Sequence, residues 1–187
     1  MLGVLDDVER HLVAGFRQPG TEVWLLGATV EQAAETLAGS EYLEAEHGTV
    51  AGLPKVDLQA ERRLQLLVLR LNDEGLLLSA HDCSEGGLAV ALAESAILGD
   101  CGFEGAAELT GRLDAALFGE AQGRIVVSLR PDQFRQGGGS ARLADLAREL
   151  EVPIALLGRT TDDGRFRFGP IDTTVAALRE SYESGLN

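Results

Sequence analysis

A chain of 187 residues, 45% apolar and 25% charged, has enough apolar material for one sizeable core without covalent staples. Its 30 acidic against 16 basic side chains leave a net charge of -14, a surface that repels phosphodiester backbones and argues against nucleic-acid binding. There is no apolar run long enough to span a membrane, no basic-then-apolar leader, and no disulfide framework in two cysteines; a cytoplasmic protein with reduced thiols is expected.

In chain order, "TEVWLLG" (Thr21–Gly27) reads as a buried strand closed by glycine. "TVEQAAETLAGS" reads as a short helix or turn ending at Gly39, and the Gly- and Pro-containing stretch from there to Asp57 as an excursion loop. Asp57 stands at an N-cap position, and Leu64, Leu67, Val68 and Leu71 form the stripe of a core-facing helix stopped by "DEG" (Asp73–Gly75). "LLLSAHD" (Leu76–Asp82) is a second buried strand. The helix from Gly86 to about Leu98 is apolar nearly all round and needs cover on most sides. "GRIVVSLR" (Gly123–Arg130) is a strand ended by Pro131. Ser140 is placed to cap a helix bearing Leu143, Leu146, Ala147 and Leu150. "VPIALLGRTTDDGRFRFG" predicts two strands joined as a hairpin at Asp163–Gly164, and an amphipathic helix from Thr174 to Tyr182 closes the chain. The alternation predicts an α/β (α+β) fold, a mixed sheet with helices on both faces, in a single domain over residues 1–187 with residues 1–20 as a junction or arm.

The stretch "HDCSEGG" (His81–Gly87) admits four readings. A Cys–His or Ser–His nucleophile usually draws its base from a distant part of the chain; His81 and Cys83, two apart at a strand end, point to the same side, an arrangement that is permissive but common, and no G-x-S-x-G elbow exists. A zinc site lacks a second ligand cluster, because His11 and His47 are isolated. No catalytic residue and no metal ligand is therefore assigned. An anion cradle stands on firmer ground: Ser84 as helix cap, with Gly86 and Gly87 leaving the first amides open, although Asp82 and Glu85 oppose an anion. Ahead of it ranks a structural corner, with glycines for close strand–helix packing and side chains satisfying backbone donors. Ser84, Gly86 and Gly87 stay as the cofactor-binding candidates.

"SAHDCSEGGLAVALAE" (Ser79–Glu94) also resembles the S-A-H-D-x-S-[DE]-G-G-L-A-V-A-L-A-E segment of the formylglycinamidine ribonucleotide synthase family. "LGVLDDV", "LAGSEYL", "GLPKVDLQAE", "LFGEAQGRIVVSL" and "LGRTT" resemble further family segments in the same order, with Ala38 where glycine is usual. The resemblance implies the last of four domains in two tandem halves, with a partly ferredoxin-like βαβ order like that of aminoimidazole ribonucleotide synthetase relatives. It implies an ATP- and magnesium-dependent ligase that activates the amide oxygen of formylglycinamide ribonucleotide, with ammonia supplied by a glutaminase subunit or domain. The family's catalytic histidine, ATP-contacting lysine, most magnesium carboxylates and Gly-Asn-x-Ser segment have no counterpart here. A fragment inactive alone is therefore expected, with no cofactor of its own and no glutaminase activity.

On the matched positions, Gly39, Ser40, Glu41 and Tyr42 together with His81, Asp82 and Glu85 are expected to face the N-terminal companion domains, more by packing than by ligand contact. Cys83 fills a position the family often gives to valine, as a small buried hydrophobe. Arg124 is expected in a surface ion pair with Glu120. Freed from companions, the domain is expected to expose an apolar patch through which it dimerises or binds neighbours. Two rival readings remain open: a free-standing nucleotide-binding regulatory module, and a domain of a related small-molecule synthetase.

Overall fold

The computed structural model describes residues 7–27, 34–131 and 138–185. The resemblance at "LGVLDDV" and the first half of the helix or turn at 29–40 lie largely outside them.

Seven strands form one sheet: β1 (Glu22–Gly27), β2 (Leu77–Asp82), β3 (Gly102–Gly105), β4 (Arg124–Leu129), β5 (Ile154–Thr161), β6 (Arg165–Phe168) and β7 (Ile171–Thr174). Their spatial order is β2-β4-β1-β5-β3-β6-β7, antiparallel throughout except for the parallel β3–β6 pair. The helices are α1 (Glu41–His47), α2 (Leu58–Asp73), α3 (Gly87–Gly99), α4 (Leu113–Phe118), α5 (Gly138–Glu149) and α6 (Val175–Gly185). Units β1-α2-β2 and β4-α5-β5 interlock with strand order β2-β4-β1-β5, the split βαβ arrangement of ferredoxin-like folds.

Strand alternation divides the core in two. Val23 and Leu25 of β1, with Val126 of β4, face α3 and the Phe103–Phe166–Phe168 cluster. Leu26 and Val127 point the other way, against Leu64, Leu67 and Leu71 of α2 and Leu143 and Leu146 of α5. Helices thus cover both faces, as the sequence predicts. Asp57 caps α2, accepting from the amides of Gln59 at 2.9 Å and Ala60 at 3.1 Å. Helix α3 is covered on most sides: Leu88, Ala89, Ala91, Leu92, Ser95 and Ala96 are all buried. The preceding segment joins it, since Phe16 is 1% exposed and its amide donates to Ser95 O at 2.9 Å.

Three local expectations need correcting. The excursion loop contains helix α1, capped by Ser40 and ended by Gly48 in the left-handed region. Its cues were present in the sequence: serine, glutamate in the first turn, and glycine just past the last turn. Ser140 lies inside the first turn of α5 rather than capping it, and its hydroxyl donates to Glu22. The predicted hairpin is open. Strand β3 inserts between β5 and β6, bonding antiparallel to one and parallel to the other. Its Gly102 sits in the mouth of the Asp163–Gly164 turn, where a Cβ would come within 2.3 Å of Thr161 Oγ1 and 2.7 Å of Arg165 O. Two strands flanking a tight-looking turn need not pair when a third strand, flanked by glycines, fits between them.

That turn is held by Asp163, which accepts from the Thr161 hydroxyl at 2.6 Å, the Arg165 amide at 3.0 Å and Arg167 at 2.8 Å. These bonds, the Thr161 hydroxyl foremost, hold its carboxyl well below the usual carboxylate range. A depressed folded-state value means stability that is present above the unfolded carboxylate pKa of about 4 and lost as pH falls toward the folded value. We therefore expect Asp163→Asn to show a smaller fall in urea midpoint between neutral and strongly acidic pH than the parent. An equal fall would show that Asp163 carries none of the acid sensitivity.

Candidate functional site

Antiparallel pairing of β2 and β4 sets His81 opposite Val126 and Asp82 opposite Ile125, and the Cys83 amide donates to Arg124 O at 2.9 Å. The "HDCSEGG" turn therefore runs beside the turn at residues 119–123 that follows α4. A third segment, the start of α1, closes on the same place. The connecting group is Glu120: one carboxylate oxygen accepts from Gly86 N at 2.8 Å and from Glu41 N at 2.9 Å. The Glu120 amide in turn donates to Thr36 O at 2.8 Å. Next to this clamp Tyr42 stacks on Phe118, with ring centroids 5.1 Å apart and planes 2° from parallel.

The double glycine is required by contact. Gly87 has φ +70°, and a Cβ on it would lie 2.6 Å from Gly119 O and 2.8 Å from the Phe118 carbonyl carbon. Gly86 is the N-cap of α3 at φ +77°, and no side chain caps that helix. Ser84, expected as the helix cap, does not cap it. Its hydroxyl donates to the Asp82 carboxylate, while the Gly86 amide is taken by Glu120. A distant carboxylate supplies the acceptor that the local serine does not.

Of the predicted interface residues, Glu41 and Tyr42 meet the Gly86–Gly87 corner through Glu120 and Phe118. Ser40 caps α1 and donates to Leu37 O at 2.8 Å, and Gly39, at φ +68°, donates its amide to Ala51 O. His81 turns away to bridge Glu94 on α3 at 3.1 Å, its other ring nitrogen lying 2.8 Å from Asp82 O. Asp82 and Glu85 remain exposed. Cys83 is buried, and burial pushes its thiol up to about 11, the setting of an inert core residue.

Arg124 corrects another expectation. It is 2% exposed and makes no ion pair with Glu120. Instead its Nη2 donates to Gly119 O and its Nε to Ala121 O at 3.2 Å, pinning the turn from beneath. Burial lowers its pKa. The sequence cue was "LFGEAQGR", in which a glutamate and an arginine frame one turn and serve different partners.

Above Arg124 lies a cleft of about 420 Å³ lined by Asp82, Ser84, Glu85, Glu120 and Gln122, among others. It adjoins a hollow of about 360 Å³ at the start of α2 that holds Lys55, Asp57 and Arg63; the two share Val56, Glu61, Gln122 and Gly123. Among the described residues, no group of three or more His, Cys, Asp or Glu side chains is placed to hold a metal ion.

Removal of the clamp carboxylate tests its weight. Glu120→Ala is expected to cost about 2 kcal/mol, since it removes the shared acceptor of the Gly86 and Glu41 amides and unties the three segments that meet there. Glu120→Gln, which keeps an acceptor oxygen, is expected to cost less. Urea unfolding measures the loss, and faster hydrogen exchange at Gly86 and Glu41 would locate it.

Residues 18–169 match the family described as AIR synthase related protein, C-terminal domain. Over 192 aligned residues the chain is 43% identical to the phosphoribosylformylglycinamidine synthase subunit PurL of Thermomicrobium roseum, covering all of this chain and 25% of that protein. It is 42% identical to the corresponding subunit of Symbiobacterium thermophilum, covering 91% of this chain and 21% of the relative. Among solved structures, Thermotoga maritima PurL complexed with FGAR superposes with a TM-score of 0.73 at 20% identity, over 92% of this chain and 30% of that one. Thiamine-monophosphate kinase from Stenotrophomonas maltophilia shares the fold more distantly, with a TM-score of 0.55 at 22% identity over 84% of this chain and 52% of its own. The chain thus spans about a quarter of the length of these curated relatives.

Proposed function

The chain belongs to the family of AIR synthase related C-terminal domains, and we propose that it serves as the C-terminal domain of an ATP-dependent, amidine-forming ligase of purine biosynthesis. In that reaction formylglycinamide ribonucleotide, glutamine and ATP give formylglycinamidine ribonucleotide, glutamate, ADP and phosphate. The observation that carries the reading is the 43% identity along the whole chain to one quarter of a PurL subunit. The proposed partners are the companion domains of the same enzyme and a glutaminase. Residues 39–42 and the 81–87 turn are the proposed contact loops. A cytoplasmic setting accords with the proposed chemistry; no helix among the described residues is long and apolar enough to cross a membrane.

The residues present do not fit ATP and magnesium on their own. The Gly86 amide, which a phosphate would need, already donates to Glu120. Asp82, Glu85, Glu61 and Glu120 line the cleft around Arg124, and among the described residues no carboxylate trio is set for a metal. The part of this chain in the proposed enzyme is to wall the site and to hold two loops rigidly toward its companions. Calorimetric titration of the chain with ATP, with and without magnesium, is expected to give no saturable heat at millimolar nucleotide. Saturable binding lost in Gly87→Val would favour a free-standing nucleotide-binding module instead.

A further inference from the structure

Strand β2 lies at the edge of the sheet, and the segment ahead of β1 runs over that edge from one face to the other. Leu12 packs against the core shared with α2 and α5. Phe16, 1% exposed, sits in the core shared with α3, its ring stacked on Phe103 with centroids 6.0 Å apart. Between them Val13 O accepts from the Ala80 amide of β2 at 3.0 Å, and so meets a backbone donor that an open sheet edge would leave bare. Both ends of the segment are fastened. Arg10 bonds the Asp73 carboxylate at 2.9 Å, and its carbonyl accepts from the Asn72 side-chain amide at 2.9 Å. At the far end Gly20 N donates to Thr160 O at 2.8 Å. Where the segment crosses α3 the contact is backbone on backbone. A Cβ on Gly15 would lie 2.8 Å from Gly99 N, and one on Gly99 would lie 2.0 Å from Phe16 O. Neither glycine has a positive φ, so close approach alone requires them. Beyond Phe16 these fastenings are slight: a bond at the edge, an ion pair with partners 50% and 68% exposed, and a crossing without side chains. A segment held in this way opens at lower cost than the sheet beneath it.

We propose that residues 10–20, expected from the sequence as part of a junction, form a strap. Seated, it closes the β2 edge and ties together both layers of the core. Unseated, it bares that edge while the sheet stays folded. The two elements it holds frame the 81–87 corner, since β2 ends at Asp82 and α3 begins at Gly87. The seating of the strap therefore governs how firmly that corner is held. In the proposed ligase the strap is also the joint to the preceding companion domain, through which that companion acts on the corner. This last step rests on the ligase reading, whereas the strap itself does not.

The test is native-state hydrogen exchange of the whole chain in low urea, read at single amides. Phe16 and Ala80 are expected to exchange through one shared opening, with a urea dependence less than about half that of Leu25 in the central strand β1. Gly99→Ala then forces the strap off, because the added Cβ meets strap backbone and the helix itself accepts alanine. In that variant the Phe16 and Ala80 amides should lose protection together, exchanging at least about a hundredfold faster, while Leu25 stays protected. Three results would each overturn the proposal. The first is exchange of Phe16 and Ala80 in the parent with the full urea dependence of Leu25. The second is a Gly99→Ala chain in which Ala80 keeps its protection, and the third is one in which Leu25 loses protection as well. Neither measurement involves ligase activity, so failure here and failure of the ligase reading are told apart.

Discussion

Gly87→Ala is expected to destabilise the domain by about 3–5 kcal/mol, the range reserved for backbone collisions in a packed interior. The added Cβ would lie 2.6 Å from Gly119 O and 2.8 Å from the Phe118 carbonyl carbon, and both obstacles are backbone. Relief requires α3 to move away from the end of α4, which also loosens the Glu120 clamp. The φ of +70° adds its own penalty of about 1–2 kcal/mol for an L-residue. Gly164→Ala separates the two contributions, because Gly164 has φ +66° but nothing within 4 Å of a Cβ. It should cost only the backbone penalty of about 1–2 kcal/mol. Urea midpoints followed by circular dichroism decide the matter, and equal losses in the two variants would show that close packing at the corner is unimportant.

The second large effect belongs to Arg124. Arg124→Ala is expected to cost about 3–5 kcal/mol, through a cavity under the turn and the loss of the donors to the buried Gly119 carbonyl and the part-buried Ala121 carbonyl. Arg124→Met restores much of the volume but not the bonds to Gly119 O and Ala121 O, and should recover only part of the loss. The outcome that would count against this is a methionine variant as stable as the parent, as happens when a buried charge contributes less than the desolvation it suffers.

Much of the fold was legible in the sequence because burial writes itself into period. The Leu64–Leu71 stripe, the apolar "LLLSA" run and the all-round apolar helix after Gly87 fixed the positions of α2, β2 and α3. The Asp57 cap was legible because its partners lie two and three residues away. Long-range pairings were not legible. Nothing in "GFEG" announces that β3 will separate two strands joined by an Asp-Gly turn; that follows from glycines at Gly102 and Gly105 meeting distant backbone.

The site shows the same division. "HDCSEGG" was readable as a strand-to-helix corner with glycines for close approach, and Gly87 fits that reading. Ser84 misled because a serine near a helix start is a local cue, whereas the acceptor used, Glu120, comes from 34 residues along the chain. Arg124 misled because a charged residue beside a glutamate invites pairing. The strand that carries it is buried on both faces, so its guanidinium turned to carbonyls instead.

The proposed role of this chain is that of one domain of a ligase completed by companions. The most direct measurement joins the chain to the PurL subunit of Thermomicrobium roseum in place of that protein's matching C-terminal quarter. Formylglycinamide ribonucleotide-dependent ADP release, with ammonia as nitrogen source, is then assayed for the hybrid, the truncated subunit and the chain alone. Turnover by the hybrid, with none from either part, is the predicted result. A hybrid that folds but does not turn over, or a chain active alone, would contradict it.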